Sequence, residues 1–307
     1  MIITLKDKSQ LEVESGLTVL DVAKSISEGL ARVALCAKVN GEVVGLDTVL
    51  ESDVELEILT FRDDEGKAVY RHTTAHVLAQ AVKNIFPTVK LAIGPSTQNG
   101  FYYDFEFKTP ISQEDLPKIE DEMKKIIKAN ARLEKKIVSR KDALKLMKGF
   151  KEDYKVELIN DLPEDAIISL YTQGDFTDMC RGPHLPSTGY VKAFKLTSIT
   201  GAYWKGDEHN KMLTRIYGTA FDKKSELDAY LEAVEEAKKR DHNKLGRELG
   251  FFMTDENIGQ GLPLYKAKGA KLMQLLQRFV EDVEEKNGYV LTIFLRPARF
   301  RAHREKS

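Results

Sequence analysis

The hydrophobic pattern of this 307-residue chain changes period near residue 60, and that change sets the outline of the fold. Up to that point apolar and polar residues alternate in short runs: IITLKD, QLEVES, VALCAKVN, EVVGL and VELEILT. Alternation with a period of two puts one face of each run in a core and the other in water, as a strand requires. Asn40-Gly41 lies between two of the runs and suits the positive φ angles of a two-residue hairpin turn. One helix fits between the strands, from about Thr18 to about Gly29. Strand, strand, helix and further strands predict a ubiquitin-like β-grasp over residues 1–61.

From Tyr70 the apolar positions Ala75, Val77, Leu78, Ala81, Val82 and Ile85 recur at helical spacing and Pro87 ends the pattern, which predicts a helix over about 71–85. The charged stretch FRDDEGKAV, residues 61–69, reads as a linker. Residues 62–224 mix helical patterns, at about 113–130 and 140–149, with the β-rich segments AIISLYTQGDFTDMC and VKAFKLTSITGAYW. Residues 225–249 read as one long charged helix closed by Gly250, and 267–286 as an amphipathic helix stopped by Asn287-Gly288. Residues 293–307 are basic and aperiodic. The expected class is α+β, with two or more domains.

Composition removes several alternatives. With 42% apolar and 31% charged residues the chain is not a largely disordered one. No run approaches the roughly 18 apolar residues of a membrane span and the start MIITLKDKSQ is not a secretory signal, so a cytoplasmic location is expected. Cys36 and Cys180 lie far apart, which makes a disulfide framework an unsuitable reading. The net charge of -1 provides no global attraction to nucleic acid, so RNA contacts would have to come from local basic patches.

The candidate chemistry lies in two pairs. His72 and His76 are four apart on a predicted helix, so their imidazoles share a face and can hold a metal or a substrate, although such a pair also occurs on ordinary polar helix surfaces. In DMCRGPHLPSTG, Cys180 and His184 are four apart in a tight loop marked by Gly182 and Pro183. Two such pairs are what a tetrahedral metal site or a compact hydrolytic pocket needs. Asp178 is placed to orient a water or accept from a ribose hydroxyl, and Lys155 to supply positive charge to an oxyanion. Phe101, Tyr102, Tyr103, Tyr203 and Trp204 read as core aromatics or as stacking surfaces for bases.

The strings YRHTTAHVLAQAV, IGPSTQNGFYYDF, DFTDMCRGPHLPSTG and LTSITGAYWKGDEHNKMLTRIYGTAF resemble, in order and spacing, the editing domain of bacterial threonyl-tRNA synthetases. Residues 1–61 resemble the TGS domain of that family, 62–224 its second additional (editing) domain, 225–249 its linker helix, and 250–292 the start of its class II catalytic domain with the motif 1 helix. The resemblance implies that His72, His76, Lys155, Asp178, Cys180 and His184 hydrolyse Ser-tRNA(Thr), and that Tyr103 contacts the 3′ adenosine. In that scheme His72 and His184 position water and substrate hydroxyls, Lys155 and Asp178 polarise the water, and Cys180 with His76 shapes the pocket. Zinc on His72, His76, Cys180 and His184 is the alternative, as in alanyl-type deacylases; a tRNA-binding module without catalysis is another. ATP, magnesium, a catalytic zinc and the homodimer belong to the full-length family. Counterparts of motifs 2 and 3 are not found, and after Tyr289 the text turns to IFLRPARFRAHREKS, so the expectation is editing without aminoacylation, from a truncated or frameshifted frame.

Overall fold

The alternating runs of the first 60 residues become the strands β1 (Ile2–Leu5), β2 (Gln10–Glu12), β3 (Cys36–Val39), β4 (Glu42–Val44) and β5 (Val54–Leu59) in a computed structural model that describes residues 1–291 other than 256 and 260. Their order is β2-β1-β5-β3-β4, with β1 parallel to β5 and the other neighbours antiparallel. Asn40 and Gly41 both take positive φ, 50° and 86°, and make the expected hairpin. Ile3, Val19, Val22, Leu46 and Leu56 form a core of this β-grasp. Its helix is two helices, α1 (Val19–Ile26) and α2 (Glu28–Val33), where one is predicted. Ser27 is the reason: its backbone is extended at φ -167°, and its hydroxyl accepts from the Leu30 amide to start a new helix.

The chain divides into two compact units, Met1–Tyr230 and Leu231–Ser307. In the first, the β-grasp is followed by α3 (Asp64–Ile85), β6 (Lys90–Leu91), β7 (Ser96–Thr97), β8 (Gly100–Glu106), α4 (Leu116–Ala129), β9 (Leu133–Val138), α5 (Arg140–Gly149), α6 (Asp153–Asp161), β10 (Ile168–Gln173), β11 (Phe176–Met179), β12 (Ala193–Tyr203) and β13 (Met212–Phe221). One sheet runs β12-β13-β8-β6 with β7 on β8, and a second runs β11-β10-β9. Helix α3 is buried on most of its surface between β8, β13 and α4. Helices α5 and α6 cover one face of the smaller sheet through Ala143, Met147, Ile159, Ile168 and Leu170.

The predicted linker is not a linker. Helix α3 begins at Asp64, about two turns earlier than the apolar pattern indicates, because the Asp63 carboxylate closes the preceding turn by accepting from the Thr60 amide at 2.8 Å. Val69 and Tyr70 then join Leu35, Cys36, Leu59 and Phe61 in one core, so the β-grasp meets the next domain through packed side chains. Charge alone made 61–69 resemble a loop. Helix α6 was not predicted at all.

The predicted single helix 225–249 is α7 (Lys224–Lys239) and α8 (His242–Glu248). Asp241 breaks it by leaving helical geometry and accepting from the Lys244 amide. Beyond these come β14 (Phe252–Met253), β15 (Leu264–Tyr265) and α9 (Ala267–Lys286), the last matching its predicted bounds. The basic tail 293–307 and the last residue of the expected 250–292 segment lie outside the described residues. No helix among the described residues is long and apolar enough to cross a membrane.

Candidate functional site

Helix α3 carries His72 and His76 one turn apart, with ring centroids separated by 4.9 Å. Past β11 the chain reverses at Gly182, whose φ is +64°, and delivers His184 onto them. The His184 ring stacks on His72 at 4.5 Å and meets His76 edge-on at 4.3 Å. Cys180 Sγ lies 3.0 Å from His184 Nε2. One ligand atom from each of the four side chains falls within 4.8 Å of the others, so the two four-spaced pairs converge as expected. His76 and His184 are buried, whereas His72 and Cys180 are half-buried and form the open side.

Lys155 comes from α6 and Asp178 from β11, and both are within reach but engaged with each other. Lys155 Nζ lies 2.7 Å from Asp178 Oδ1, with both side chains at most 4% exposed. Tyr103 donates its hydroxyl to Asp178 Oδ2 at 2.6 Å, and the Met179 amide donates to Oδ1 at 2.7 Å. His76 Nε2 stands 3.8 Å from Oδ2. The lysine charge expected to face an oxyanion is therefore matched by a carboxylate, and the carboxylate expected to hold water already accepts from three protein donors. Of the two readings of Tyr103, core aromatic or stacking surface, its burial fits the first. Tyr103 shares the core side of β8 with Phe101 and Phe105 and is 0% exposed, so no face of the ring is open to an adenine.

Burial drives the electrostatics. It lowers the affinity of all three imidazoles for a proton; in His76 the neighbouring His72 adds to this, and in His184 both His76 and His72 do. Burial, with Asp178 nearby, pushes the Cys180 thiol up to about 12. At neutral pH the site holds three neutral imidazoles and a protonated thiol beside one closed ion pair. Neutral imidazoles accept protons, while a thiol so raised is a poor nucleophile.

Three further groups touch the cluster and carry no sequence signal. Tyr171 on β10 meets His184 edge-on at 4.5 Å. His72 Nδ1 lies 3.1 Å from the Gly94 carbonyl, and Thr73 Oγ1 lies 3.1 Å from His184 Nδ1. A threonine between two histidines looks like any buried β-branched residue, and a backbone carbonyl has no side-chain letter.

Residues 1–60 match the TGS domain family, and residues 168–217 match the family described as the threonyl and alanyl tRNA synthetase second additional domain. The chain is 61% identical over 290 residues to the threonine--tRNA ligase of Clostridium perfringens, covering 94% of this chain and 45% of that protein. It is 63% identical over 290 residues to that of Clostridium botulinum strain Alaska E43 and 58% identical over 288 residues to that of Clostridioides difficile, with the same two shares. The chain spans 45% of the length of these curated relatives.

Proposed function

We propose, from the premise that this chain belongs to the threonine--tRNA ligase family, that its histidine cluster hydrolyses the ester joining serine to tRNA(Thr). The observation that carries this reading is the convergence of three neutral imidazoles, two of them buried and His72 half-buried, in one cluster. Family names on the relatives and the second additional domain support it. The physical need is plain: serine is threonine less one methyl, a difference worth only ~1–3 kcal/mol in a binding pocket, so a second hydrolytic sieve is required for accuracy.

In this scheme a water beside His72 and His184 transfers a proton to an imidazole nitrogen as its oxygen bonds to the ester carbonyl carbon. Collapse of the tetrahedral intermediate breaks the bond to the ribose oxygen, which takes the proton. The products are serine and tRNA with a free terminal hydroxyl. Cys180 and His76 shape the pocket, and the Lys155, Asp178 and Tyr103 network holds its floor. Purified protein should deacylate Ser-tRNA(Thr) well above the spontaneous rate and Thr-tRNA(Thr) little, and His72→Ala should lower kcat by about 100-fold. Equal rates for parent and variant would end this reading. ATP–pyrophosphate exchange on the same protein tests the separate expectation that it does not activate threonine.

The donor set favours a second reading, zinc-assisted deacylation. One cysteine and three histidines are zinc ligands by type, and the 3.0 Å approach of Cys180 to His184 is compact enough. The full spread of 4.8 Å exceeds the roughly 3.5 Å ligand-to-ligand edge that tetrahedral zinc bond lengths imply, so the side chains would have to close inward. When bound, zinc would act as a Lewis acid on the ester carbonyl. Stoichiometric zinc in protein purified without chelator, lost together with activity on chelation, would select this reading.

A further inference from the structure

We propose that Thr73 is a positioning residue that fixes the tautomer of His184, with the hydrogen on Nδ1 and the Nε2 lone pair turned toward Cys180; the inference deepens the hydrolytic reading above and rests on it. Thr73 lies on α3 between the two histidines and is 0% exposed. Its Oγ1 has three partners: the Val69 carbonyl at 3.0 Å, the Leu185 amide at 3.0 Å and His184 Nδ1 at 3.1 Å. A hydroxyl has one proton and two lone pairs. The Leu185 amide can only donate and occupies one lone pair. The Val69 carbonyl can only accept and takes the proton. What remains for His184 is a lone pair, so Nδ1 carries the hydrogen and Nε2 does not.

The other side of the ring agrees. Nε2 faces the Cys180 sulfur at 3.0 Å, and an S–H there can donate to the nitrogen lone pair. The opposite wiring would aim an N–H at the cysteine sulfur, a weak acceptor, and would take the hydroxyl proton away from Val69. His72 is fixed in the same sense by a different partner, since the Gly94 carbonyl can only accept from Nδ1. Two of the three imidazoles thus keep their hydrogen on Nδ1, held there by buried acceptors, and in the neutral ring this leaves the lone pair on Nε2.

The test compares the parent protein with Thr73→Val, which keeps the shape and removes the hydroxyl, and with Thr73→Ser, which restores it. Two readouts are taken: ¹⁵N-imidazole NMR of His184, assigned with a His184→Asn variant, and single-turnover and steady-state deacylation of Ser-tRNA(Thr). In the parent, His184 Nδ1 should carry the proton and Nε2 should not. In Thr73→Val the spectrum should move toward a tautomeric average and kcat should fall about tenfold or more with KM within about twofold, and Thr73→Ser should recover both. A parent His184 protonated on Nε2 overturns the proposal even if the valine variant fails to fold. So does a folded valine variant with parental tautomer and kcat. If the parent protein lacks deacylase activity, the hydrolytic reading fails while the spectrum still decides the tautomer.

Discussion

Asp178 is the residue on which the site's stability turns. Its carboxylate is spent on Lys155, Tyr103 and the Met179 amide within a space closed to water. Removing one member of such a pair strands a charge, and the usual cost is about 3–5 kcal/mol, whereas removing both costs much less. Lys155→Met should therefore unfold at clearly lower urea, and Lys155→Met with Asp178→Asn should be more stable than Lys155→Met alone. Strictly additive losses in that double-mutant cycle would contradict the closed-pair description. His72, His76, Cys180 and His184 were legible because their spacings within a helix and a tight loop fix where they point. Asp178 and Lys155 are legible as polar groups near the two pairs, but their pairing is not, since α6 and β11 meet only in the tertiary structure. Tyr103 stays open between core and stacking surface in the sequence, because an aromatic letter does not say which side of a strand faces the core. Thr73 was not read at all, since its role depends on which of three partners holds the proton.

At the scale of elements, α3 is the organising piece, and its first two turns are the part that charge composition concealed. Gly66 lies in those turns and packs directly on the turn before the helix. A Cβ there would lie 2.0 Å from the Thr60 carbonyl oxygen and 2.8 Å from its carbon, and both are backbone atoms. Alanine is the better helix former by about 1 kcal/mol, but a clash with backbone costs more than that gain. Gly66→Ala should lower stability by about 2 kcal/mol and reduce the melting temperature measured by far-UV circular dichroism; an unchanged or higher melting temperature would show that α3 does not sit this close to Thr60. Elsewhere the strands were legible because period-two alternation with Asn40-Gly41 leaves little choice. The helix breaks at Ser27 and Asp241 were not, because one capping side chain inside a charged or amphipathic run does not disturb the period.

Over the unit Met1–Tyr230, the β-grasp has its own core around Ile3, Val22 and Leu56, yet its far rim belongs to a second core. Leu59, at the end of β5 and 1% exposed, packs in that second core with Phe61 and Tyr70. Tyr70 in turn donates to the Phe221 carbonyl at 2.7 Å and accepts from the Lys192 amide at 2.6 Å, which ties the rim to the large sheet. A boundary drawn from sequence at residue 61 is thus a boundary of topology rather than of packing. Trp204 is the single tryptophan of the chain, 5% exposed against Tyr154 in the second domain, so its fluorescence reports that domain alone. Leu59→Ala removes buried methyl groups at a typical cost of about 2–5 kcal/mol. Because the shared core makes that loss common to both domains, the Trp204 transition in urea should move to lower denaturant together with the circular dichroism transition. A Trp204 midpoint that stays in place while a separate early transition appears would mean that the β-grasp unfolds on its own, and that the contacts at Leu35, Cys36, Leu59 and Phe61 do not couple the two.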